Sequence, residues 1–505
     1  MKKVLTPERM RAADAAYGQM HGGTYDLMES AGSAVARVTL RVAGGAYGNR
    51  VLVVCGKGNN AGDGLVAARR IKEAGGHAVV ILIEAPTSLA GDARSAFEKL
   101  RGVPVHFLPS LDDLLRRSDL VIDAIFGTGF KPPVPAEVAR AIASIIEAGK
   151  PVISVDIPSG VDALTGRADP AAIRADLTVA LATLKPGHLL GKGKTLSGAL
   201  QIADIGLPDA SLISDMHVPE AHDVAKTLPA RLPQAHKRSV GTVLVVAGSS
   251  GMSGAAVLTA MGAYRSGTGL LKMAVPRDLV SAVDSAVLEA ITVGLPATAL
   301  GSIASSAVDQ VLEMSTSVDA VVVGPGLGRE DETSEFVRKV VPRLERPLIL
   351  DADGLSPFAS DPGSLLERSA PTVITPHAGE LARLFSSEAD RLNNDRVAAA
   401  RAAAEQTGAV VVFKGPGTVV ASPDGRVAII DRGGPELATA GTGDVLSGVI
   451  ATLLTRSDPF TSAYSATWLH GRAGDLLNER TGSRGSIAGD LVEVLPQVLA
   501  ELERT

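Results

Sequence analysis

The stretch Arg50-Val51-Leu52-Val53-Val54-Cys55-Gly56-Lys57-Gly58-Asn59-Asn60-Ala61-Gly62-Asp63-Gly64 decides the first fold prediction. Its apolar run followed by glycines and helix-forming residues predicts a buried strand, a tight turn and a helix. Similar runs occur at 78–83, 119–123 and 151–156, and each is apolar on both faces. Strands buried on both faces and separated by helices indicate a parallel sheet in a doubly wound α/β domain. Ligands of such domains bind at the carboxyl ends of the strands.

A second α/β series opens at 241–247 and continues through the apolar runs 320–323, 347–350, 372–374 and 410–413. Between the two series, residues 211–232 mix polar residues and prolines without sustained periodicity, which is typical of a connection. We therefore predict an N-terminal domain over 1–212, a linker over 213–232 and a second α/β domain over 233–505.

The composition narrows the class of function. The 505 residues are 46% hydrophobic and 21% charged, as in ordinary globular proteins, and the net charge of −6 with only 3% aromatic residues argues against nucleic-acid binding. The lone Cys55 excludes an intrachain disulfide and a cysteine-based zinc site. Apolar runs fall short of the roughly 18 residues that span a bilayer, and the N-terminus does not resemble a signal peptide. We expect a cytoplasmic homo-oligomer that binds small molecules and neither nucleic acid nor membranes.

The glycine-rich turn at 56–64 is the first candidate site. Amides at a helix N-terminus favour an anion, although a plain turn would also contain glycines. Its third glycine is one residue late for G-x-G-x-x-G, which disfavours a standard dinucleotide site and a nicotinamide oxidoreductase. Asp123 and Asp156 end buried strands beside this turn, and they either bind a ligand or cap turns. Oxygen atoms of Asn60, Asp123 and Ser159 would suit a hard cation.

The motifs GKGNNAGDG (56–64), DAIFGTGF (123–130) and VDIPSGVD (155–162) resemble the N-terminal domain of the YjeF family, the NAD(P)HX epimerases, over most of residues 1–210. The resemblance implies a Rossmann-like fold and a potassium ion held by Asn60, Asp123 and Ser159. Ala61 departs from the glycine that the family often has. Asp156 would lie beside the substrate as the general acid/base candidate. The implied contacts with the hydrated nucleotide are Asn59, Asn60, Ala61, Gly62, Asp63, Gly127, Thr128, Gly129, Phe130, Lys131, Pro132, Pro133 and Asp156.

The second candidate site lies at Gly441-Thr442-Gly443-Asp444, at the start of an apolar helix. The amides of such a turn can stabilise phosphate charge, and the aspartate can accept a proton from an attacking hydroxyl group. The alternative, an acidic residue favoured by the helix dipole, leaves the two glycines unexplained. Glycine-containing turns follow the strands upstream, at 324–328, 375–380 and 414–418, so a ligand cleft is expected.

This set resembles the ribokinase-like superfamily, but its Asn-x-x-Glu motif reads His377-Ala378-Gly379-Glu380 here. With GPGLG (324–328), DADGL (351–355) and KGPGT (414–418), the chain resembles the NAD(P)HX dehydratases over about 225–500. The resemblance implies ADP as phosphate donor, and Glu380 acting through magnesium. Asp351 and Asp353 are left outside the site, since they could equally be hydrogen-bond partners. The implied contacts with the AMP moiety are Lys414, Gly415, Pro416, Gly417, Thr418 and Gly443, and those with the hydrated nicotinamide are Ala255, Gly326, His377 and Asp444.

Together the two resemblances imply one repair function. The first domain would interconvert the R and S forms of NADHX and NADPHX, and the second would dehydrate the S form to NAD(P)H with ADP, giving AMP and phosphate. Asp444 would be the base of the second reaction. The alternative hypothesis is a ribokinase-like small-molecule kinase fused to a non-catalytic Rossmann-like binding module.

Overall fold

The computed structural model describes residues 1–228, 234, 237, 240–359 and 361–504. The chain divides into two compact units, Lys2–Met216 (the N-terminal unit) and His217–Thr505 (the C-terminal unit, which Met1 joins). Residues 229–233, which include the end of the predicted linker and the predicted start of the second domain, lie outside the described residues. The described part of that linker contains the strand Met216–Val218 and the helix Ala221–Ala225, so it is not structureless.

The N-terminal unit alternates strands with helices. Its parallel sheet has the order β4-β3-β2-β5-β6-β7-β8. The elements are β1 Lys2–Val4, α1 Pro7–His21, α2 Tyr25–Val42, β2 Arg50–Cys55, α3 Asn59–Glu73, β3 His77–Leu82, α4 Gly91–Glu98, β4 Val105–Phe107, α5 Leu111–Arg117, β5 Leu120–Ala124, α6 Ala136–Glu147, β6 Val152–Val155, β7 Leu177–Leu181, α7 Gly191–Leu196 and β8 Ala199–Ala203.

Both faces of this sheet are buried, as the sequence predicts. Val51 and Val53 of β2 belong to one apolar cluster, together with residues of α2 and α3. Leu52 and Val54 belong to a second cluster that contains Ile142 of α6. Because successive side chains of a strand point to opposite faces, helices must cover both sides. The doubly wound α/β prediction is confirmed for this unit.

The C-terminal unit contains a larger mixed sheet. Strands β12-β11-β10-β13-β14-β15-β16 are parallel in that order, and β17 and β18 extend the sheet as an antiparallel pair. The elements are β9 Met216–Val218, α8 Ala221–Ala225, β10 Thr242–Val246, α9 Ser253–Arg265, β11 Leu270–Pro276, α10 Val280–Ala286, β12 Ile291–Leu295, α11 Val308–Ser315, β13 Ala320–Val323, α12 Asp331–Val340, β14 Leu348–Leu350, β15 Thr372–Ile374, α13 Ala378–Leu384, α14 Ala389–Asn394, α15 Arg396–Thr407, β16 Val410–Phe413, β17 Thr418–Ala421, β18 Val427–Ile430, α16 Thr442–Leu454, α17 Pro459–Thr481 and α18 Ala488–Leu502.

Helix α16 is the central helix of this unit, with every residue from Val445 to Leu454 buried. It packs so closely on α9 that a Cβ atom added at Gly448 would lie 2.0 Å from the Thr259 carbonyl oxygen. This packing fixes the N-terminus of α16 beside the ends of the parallel strands. No described helix is both long and apolar enough to cross a membrane.

Candidate active sites

The N-terminal unit contains a cavity of about 880 Å³ at the carboxyl ends of its strands. Most of the predicted contact residues line it: Asn59, Asn60, Asp63, Gly127, Thr128, Gly129, Phe130, Lys131, Pro133 and Asp156. Three predicted contacts, Ala61, Gly62 and Pro132, are not part of its wall. The sheet topology thus brings most of the three sequence motifs together at one place.

Gly62 faces the protein interior rather than the cavity. A Cβ atom there would lie 2.5 Å from the sulfur of Met28 on α2, and one at Gly64 would lie 2.5 Å from the Ala124 side chain. These glycines therefore allow close packing of α3 against its neighbours, whereas Gly58 at the helix start has open space around it. Packing therefore accounts for Gly62 and Gly64, and the anion-binding role of this turn stays a prediction.

Asp123 is fully buried, and hydrogen bonds engage both of its carboxylate oxygens. Oδ2 accepts from the Ser154 hydroxyl at 2.8 Å and from the Ser159 amide at 2.9 Å, and Oδ1 accepts from the Ser159 hydroxyl. Burial nevertheless raises the pKa of Asp123. A buried carboxylate held by serine hydroxyl groups is a setting in which a cation would offset the cost of burial.

Asn60 joins the same network through the loop after β5. Its Nδ2 donates to the Phe126 carbonyl oxygen at 2.9 Å, and the Phe126 amide donates to Ser159 Oγ at 2.8 Å. A Cβ atom at Gly127 would lie 3.3 Å from Asn60 Oδ1, so this loop passes directly over the asparagine. The three predicted cation ligands, Asn60, Asp123 and Ser159, are therefore parts of one hydrogen-bonded cluster.

Asp156 also lines that cavity and has a buried cation as its partner. Its Oδ1 accepts from the Leu181 amide at 3.0 Å and from Lys185 Nζ, which also donates to the Leu181 carbonyl oxygen at 2.8 Å. Lys185 is only 1% exposed. The backbone of Asp156 has φ of 61°, a region that aspartate adopts rarely.

His188 forms hydrogen bonds with the backbone of both residues of the Asp156–Lys185 ion pair. Its Nδ1 accepts from the Lys185 amide at 2.9 Å, so its Nε2 donates to the Asp156 carbonyl oxygen at 2.6 Å. Burial, and then the charge of Lys185, lower the pKa of His188 to about 4, so the ring is neutral. The histidine thereby joins the backbones of the two ion-paired residues.

Sequence reasoning missed Lys185, His188 and the cavity residue Asp14. The available signal was Lys185-Pro186-Gly187-His188, a Pro-Gly turn just after the strand at 177–181. This turn resembles the other turns at strand ends, but a single lysine in such a turn does not by itself indicate a functional site. Asp14 belongs to a helix before the sheet, and nothing in its surrounding sequence indicates a site.

In the C-terminal unit, Lys414 and Asp351 form the central ion pair. Lys414 Nζ donates to Asp351 Oδ1 at 2.9 Å, and the Ser447 hydroxyl donates to Asp351 Oδ2 at 2.7 Å. Although burial opposes it, the charges of Asp351 and Glu380 raise the pKa of Lys414. Asp351, which the sequence analysis left outside the site, is thus the residue that holds a predicted nucleotide contact in place.

Asp444 lies in the first turn of α16, and in the described part of the chain no lysine is hydrogen-bonded to it. Burial, and then the charge of Asp351, raise its pKa to about 7, while the charge of Lys414 opposes that rise. A Cβ atom at Gly443 would lie 3.3 Å from Lys414 Nζ, so the ammonium group lies against the predicted anion-binding turn. His470 donates from Nε2 to the Thr442 carbonyl oxygen at 2.8 Å, which supports the same turn.

The His377 to Glu380 segment forms a helix cap. His377 Nδ1 accepts from the amides of Gly379 at 3.0 Å and Glu380 at 3.2 Å, and the His377 amide donates to the Glu380 carboxylate at 2.8 Å. The His377 side chain remains 54% exposed and Glu380 lies 4.0 Å from Lys414 Nζ. Both residues are therefore held at the site by a structural motif of α13.

Two further predicted contacts, Ala255 and Gly326, lie against each other. A Cβ atom at Gly326, where φ is +63°, would lie 2.9 Å from the Ala255 side chain. Asp353, the other carboxylate left outside the site, accepts from the Gly328 amide at 3.1 Å and from Arg329 at 2.9 Å. It stabilises the GPGLG loop by hydrogen bonding.

Arg396 shapes the loop 414–418 and was also missed. Arg396 is 3% exposed, and its guanidinium group donates to the carbonyl oxygens of Phe413 at 2.8 Å and Lys414 at 3.0 Å and stacks over the Phe413 ring. A Cβ atom at Gly415 would lie 2.9 Å from this guanidinium group. The buried Arg396 therefore stabilises the backbone conformation of the loop 414–418.

The described carboxylates of the two sites do not form a metal-binding trio. Among described residues, three His, Cys, Asp or Glu ligand atoms converge within 4.8 Å only at Glu220, His222 and Asp223, which lie outside both sites. At the second site the charges of Asp351, Glu380 and Asp444 raise the pKa of Lys414, but these three carboxylates do not form such a group of ligand atoms within 4.8 Å.

Comparisons with known proteins agree with this division. The family model of the YjeF-related protein N-terminus matches residues 24–187, and that of NAD(P)H-hydrate dehydratase matches residues 243–497. A ribokinase-like superfamily protein of Enterococcus faecalis, 21% identical with a TM-score of 0.51, covers 58% of this chain and 98% of its own chain. At that identity the match establishes the fold, and it confirms the ribokinase-like prediction for the C-terminal unit.

Curated relatives match almost the entire chain. The bifunctional NAD(P)H-hydrate repair enzyme Nnr of Moorella thermoacetica is 40% identical over 491 residues, which are 94% of this chain and 92% of the relative. The protein of the same name from Escherichia coli is 33% identical over 94% of this chain and 89% of its own. The chain therefore belongs to the family of bifunctional NAD(P)H-hydrate repair enzymes.

Proposed function

We propose that the chain repairs hydrated nicotinamide nucleotides in two steps. The N-terminal unit interconverts the R and S forms of NADHX and NADPHX, and the C-terminal unit dehydrates the S form with ADP, giving NAD(P)H, AMP and phosphate. The observation that carries the proposal is that each unit has its own carboxylate, Asp156 or Asp444, among glycine-containing loops at the ends of parallel strands. One chain with two such sites suits two consecutive reactions on one nucleotide.

The chemistry of the first reaction requires proton transfer. The C6 atom of the hydrated nicotinamide carries a hydroxyl group and is bonded to N1, so inversion needs the C6–O or the C6–N1 bond to break and re-form. Asp156 faces a cavity of about 880 Å³, a size that suits a nucleotide. Its carboxylate is the proposed general acid/base of this step.

The second reaction needs a better leaving group than hydroxide. Transfer of phosphate to the C6 hydroxyl group lets N1 expel phosphate and restores the dihydronicotinamide. Asp444, with its pKa raised to about 7 by burial, can take the hydroxyl proton near neutral pH. The amides of Gly441 to Gly443 at the start of α16 and the ammonium group of Lys414 would stabilise the phosphate charge.

The proposed cofactors follow the donor atoms. Potassium would be held by Asn60, Asp123 and Ser159, because oxygen donors and a buried carboxylate suit a hard cation. Magnesium would be bound with ADP at the second site, since the described carboxylates there do not form a trio of their own. Its chemistry would be to neutralise phosphate charge. The homo-oligomer and the cytoplasmic location stay predictions.

The test uses purified protein, a mixture of both NADHX epimers, magnesium and either ADP or ATP. Dihydronicotinamide is followed by its absorbance at about 340 nm, which the cofactor ring supplies. Full recovery with ADP is expected. Recovery that stops at the share of one epimer would assign the N-terminal unit a binding role only. Accumulation of a phosphorylated product without recovery would instead identify a small-molecule kinase.

A further inference from the structure

We propose that Asp156 and Asp63 divide the acid and base roles of the epimerase reaction: Asp156, which is paired with Lys185, is the base, and Asp63 is the acid. Lys185 is then a positioning residue that acts through Asp156. This inference rests on the proposed function of the N-terminal unit. It assigns a separate role to two carboxyl groups that line one cavity.

The first support is the asymmetry of the two carboxyl groups. Asp156 accepts from the Lys185 ammonium group and from the Leu181 amide. In the described part of the chain no hydrogen bond or ion pair reaches the Asp63 carboxyl group, although this residue is only 7% exposed. A buried carboxylate without a partner is costly, whereas one paired with an ammonium group is stabilised.

The charges around Asp63 support the same division. Burial, and then the nearby carboxylates of Asp156 and Asp14, raise the pKa of Asp63 well above its ordinary value, while Lys185 opposes this rise. Burial also raises the pKa of Asp14, against the charge of Lys185. The other titratable groups nearby are Asp92, which accepts a hydrogen bond from Thr24, and the buried Cys55 thiol. The ammonium group of Lys185 therefore acts on Asp63 and Asp14 only through its charge, whereas it is hydrogen-bonded to Asp156.

The reaction balances with these two groups alone. Asp156 takes the proton of the C6 hydroxyl group, the C6–N1 bond breaks with its electron pair moving to N1, and N1 takes the proton of Asp63. The carbon becomes an aldehyde, which rotates and presents its other face. In the reverse steps N1 attacks the carbon and returns its proton to Asp63, and the oxygen recovers its proton from Asp156.

Ring opening suits this pair better than loss of hydroxide. After ring opening and closure, both carboxyl groups are back in their starting protonation states. Loss of hydroxide would consume the proton of Asp63, and water addition would leave a proton on Asp156. The proton would then have to return from Asp156 to Asp63 before the next turnover.

The experiment measures conversion of one purified NADHX epimer into the other by chromatography, with no nucleotide donor present. The rate is measured from about pH 5 to pH 9 for the wild type and for Asp63→Asn, Lys185→Met and Lys185→Arg. The matched control is Lys192→Met, which removes an exposed lysine of α7. Near-UV circular dichroism shows whether each variant is folded.

We expect Asp63→Asn to lower the rate at least about 100-fold and to abolish the fall of activity at high pH. Lys185→Met should lower kcat at least about tenfold with little change in KM, because the Asp156 carboxylate loses the ammonium group that positions it. Lys185→Arg should restore part of that loss, and Lys192→Met should match the wild type. In heavy-oxygen water the first turnover should retain the original oxygen.

The outcomes that overturn the inference are separate from failure of the proposed function. A wild type that does not interconvert the epimers would refute the epimerase proposal itself. With an active wild type, Asp63→Asn within about threefold of its rate would exclude Asp63 as the acid. A folded Lys185→Met variant that keeps kcat within about threefold of the wild type, or whose loss Lys185→Arg does not reduce, would show that Lys185 does not act through Asp156. If that variant does not fold, Asp63→Asn decides alone. One heavy oxygen gained per turnover would refute ring opening.

Discussion

The two units each combine an aspartate and a lysine, but they connect them differently. In the N-terminal unit Lys185 bonds directly to Asp156. In the C-terminal unit Lys414 bonds to Asp351, and Asp444 is left with a pKa raised to about 7 by burial. Among the described residues, the proposed base is therefore bonded to a lysine in the N-terminal unit and not in the C-terminal unit. This difference is testable by breaking each connection in turn.

The largest expected effect is the reciprocal loss of the two activities. Asp444→Asn removes the proposed base of dehydration and should lower that rate about 1000-fold, while epimer interconversion remains at the wild-type rate. Asp156→Asn should do the reverse. The two half-reactions are measured separately, by absorbance with ADP and by chromatography without it. Loss of both activities in either folded variant would contradict the existence of two separate sites.

Removal of the second lysine should damage both stability and pH dependence. Lys414→Met leaves the 1% exposed Asp351 carboxylate without its cation, which should lower the free energy of unfolding by about 3 kcal/mol. Because Lys414 also lowers the pKa of Asp444, the acidic limb of dehydration should move to higher pH. Urea unfolding and a rate profile measure these effects. An unchanged limb in a folded Lys414→Met variant would show that the lysine does not influence the base.

Replacing one loop glycine of each site with alanine, Gly415 or Gly127, should have a smaller effect, which we expect on KM. At Gly415 the backbone φ is +149° and the added Cβ would lie 2.9 Å from Arg396, so Gly415→Ala should raise the KM for ADP about tenfold. At Gly127 the nearest atom, of Asn60, would be 3.2 Å away, so Gly127→Ala should change the epimerase KM only a few-fold. A larger effect at Gly127 would refute this ranking.

The smallest expected effect concerns the wild type. A base must be ionised, so dehydration at pH 7 should proceed at about half of its rate at high pH, and it should fall about tenfold per unit well below pH 7. Initial rates at saturating ADP measure the profile. A flat profile down to about pH 5 would contradict the raised pKa of Asp444.

The sequence predicted the strands because apolar runs buried on both faces leave a clear pattern. The runs at 50–55, 372–374 and 410–413 coincide with β2, β15 and β16. The partners of the reactive carboxylates were harder to predict. Lys185 lies 29 residues after Asp156, and only the pairing of β6 with β7 brings the two together. Such a contact depends on sheet order, which no local motif contains.

The glycines show the same limit on a smaller scale. A glycine-rich turn before a helix looks the same in sequence whether it approaches a ligand or a neighbouring helix. In the structure a side chain at Gly62 would collide with Met28 of α2, whereas there is free space beside Gly58. Likewise the His377 to Glu380 segment looks like a binding motif and proves to cap its own helix as well.

Complementation between two inactive variants tests the central claim most directly. Asp156→Asn and Asp444→Asn are each mixed with both NADHX epimers, magnesium and ADP, and are then combined in one cuvette. We predict that Asp156→Asn alone stops at the share of one epimer, that Asp444→Asn alone recovers almost nothing, and that the mixture returns the full absorbance at about 340 nm. A mixture that stops where Asp156→Asn stops would contradict two independent sites.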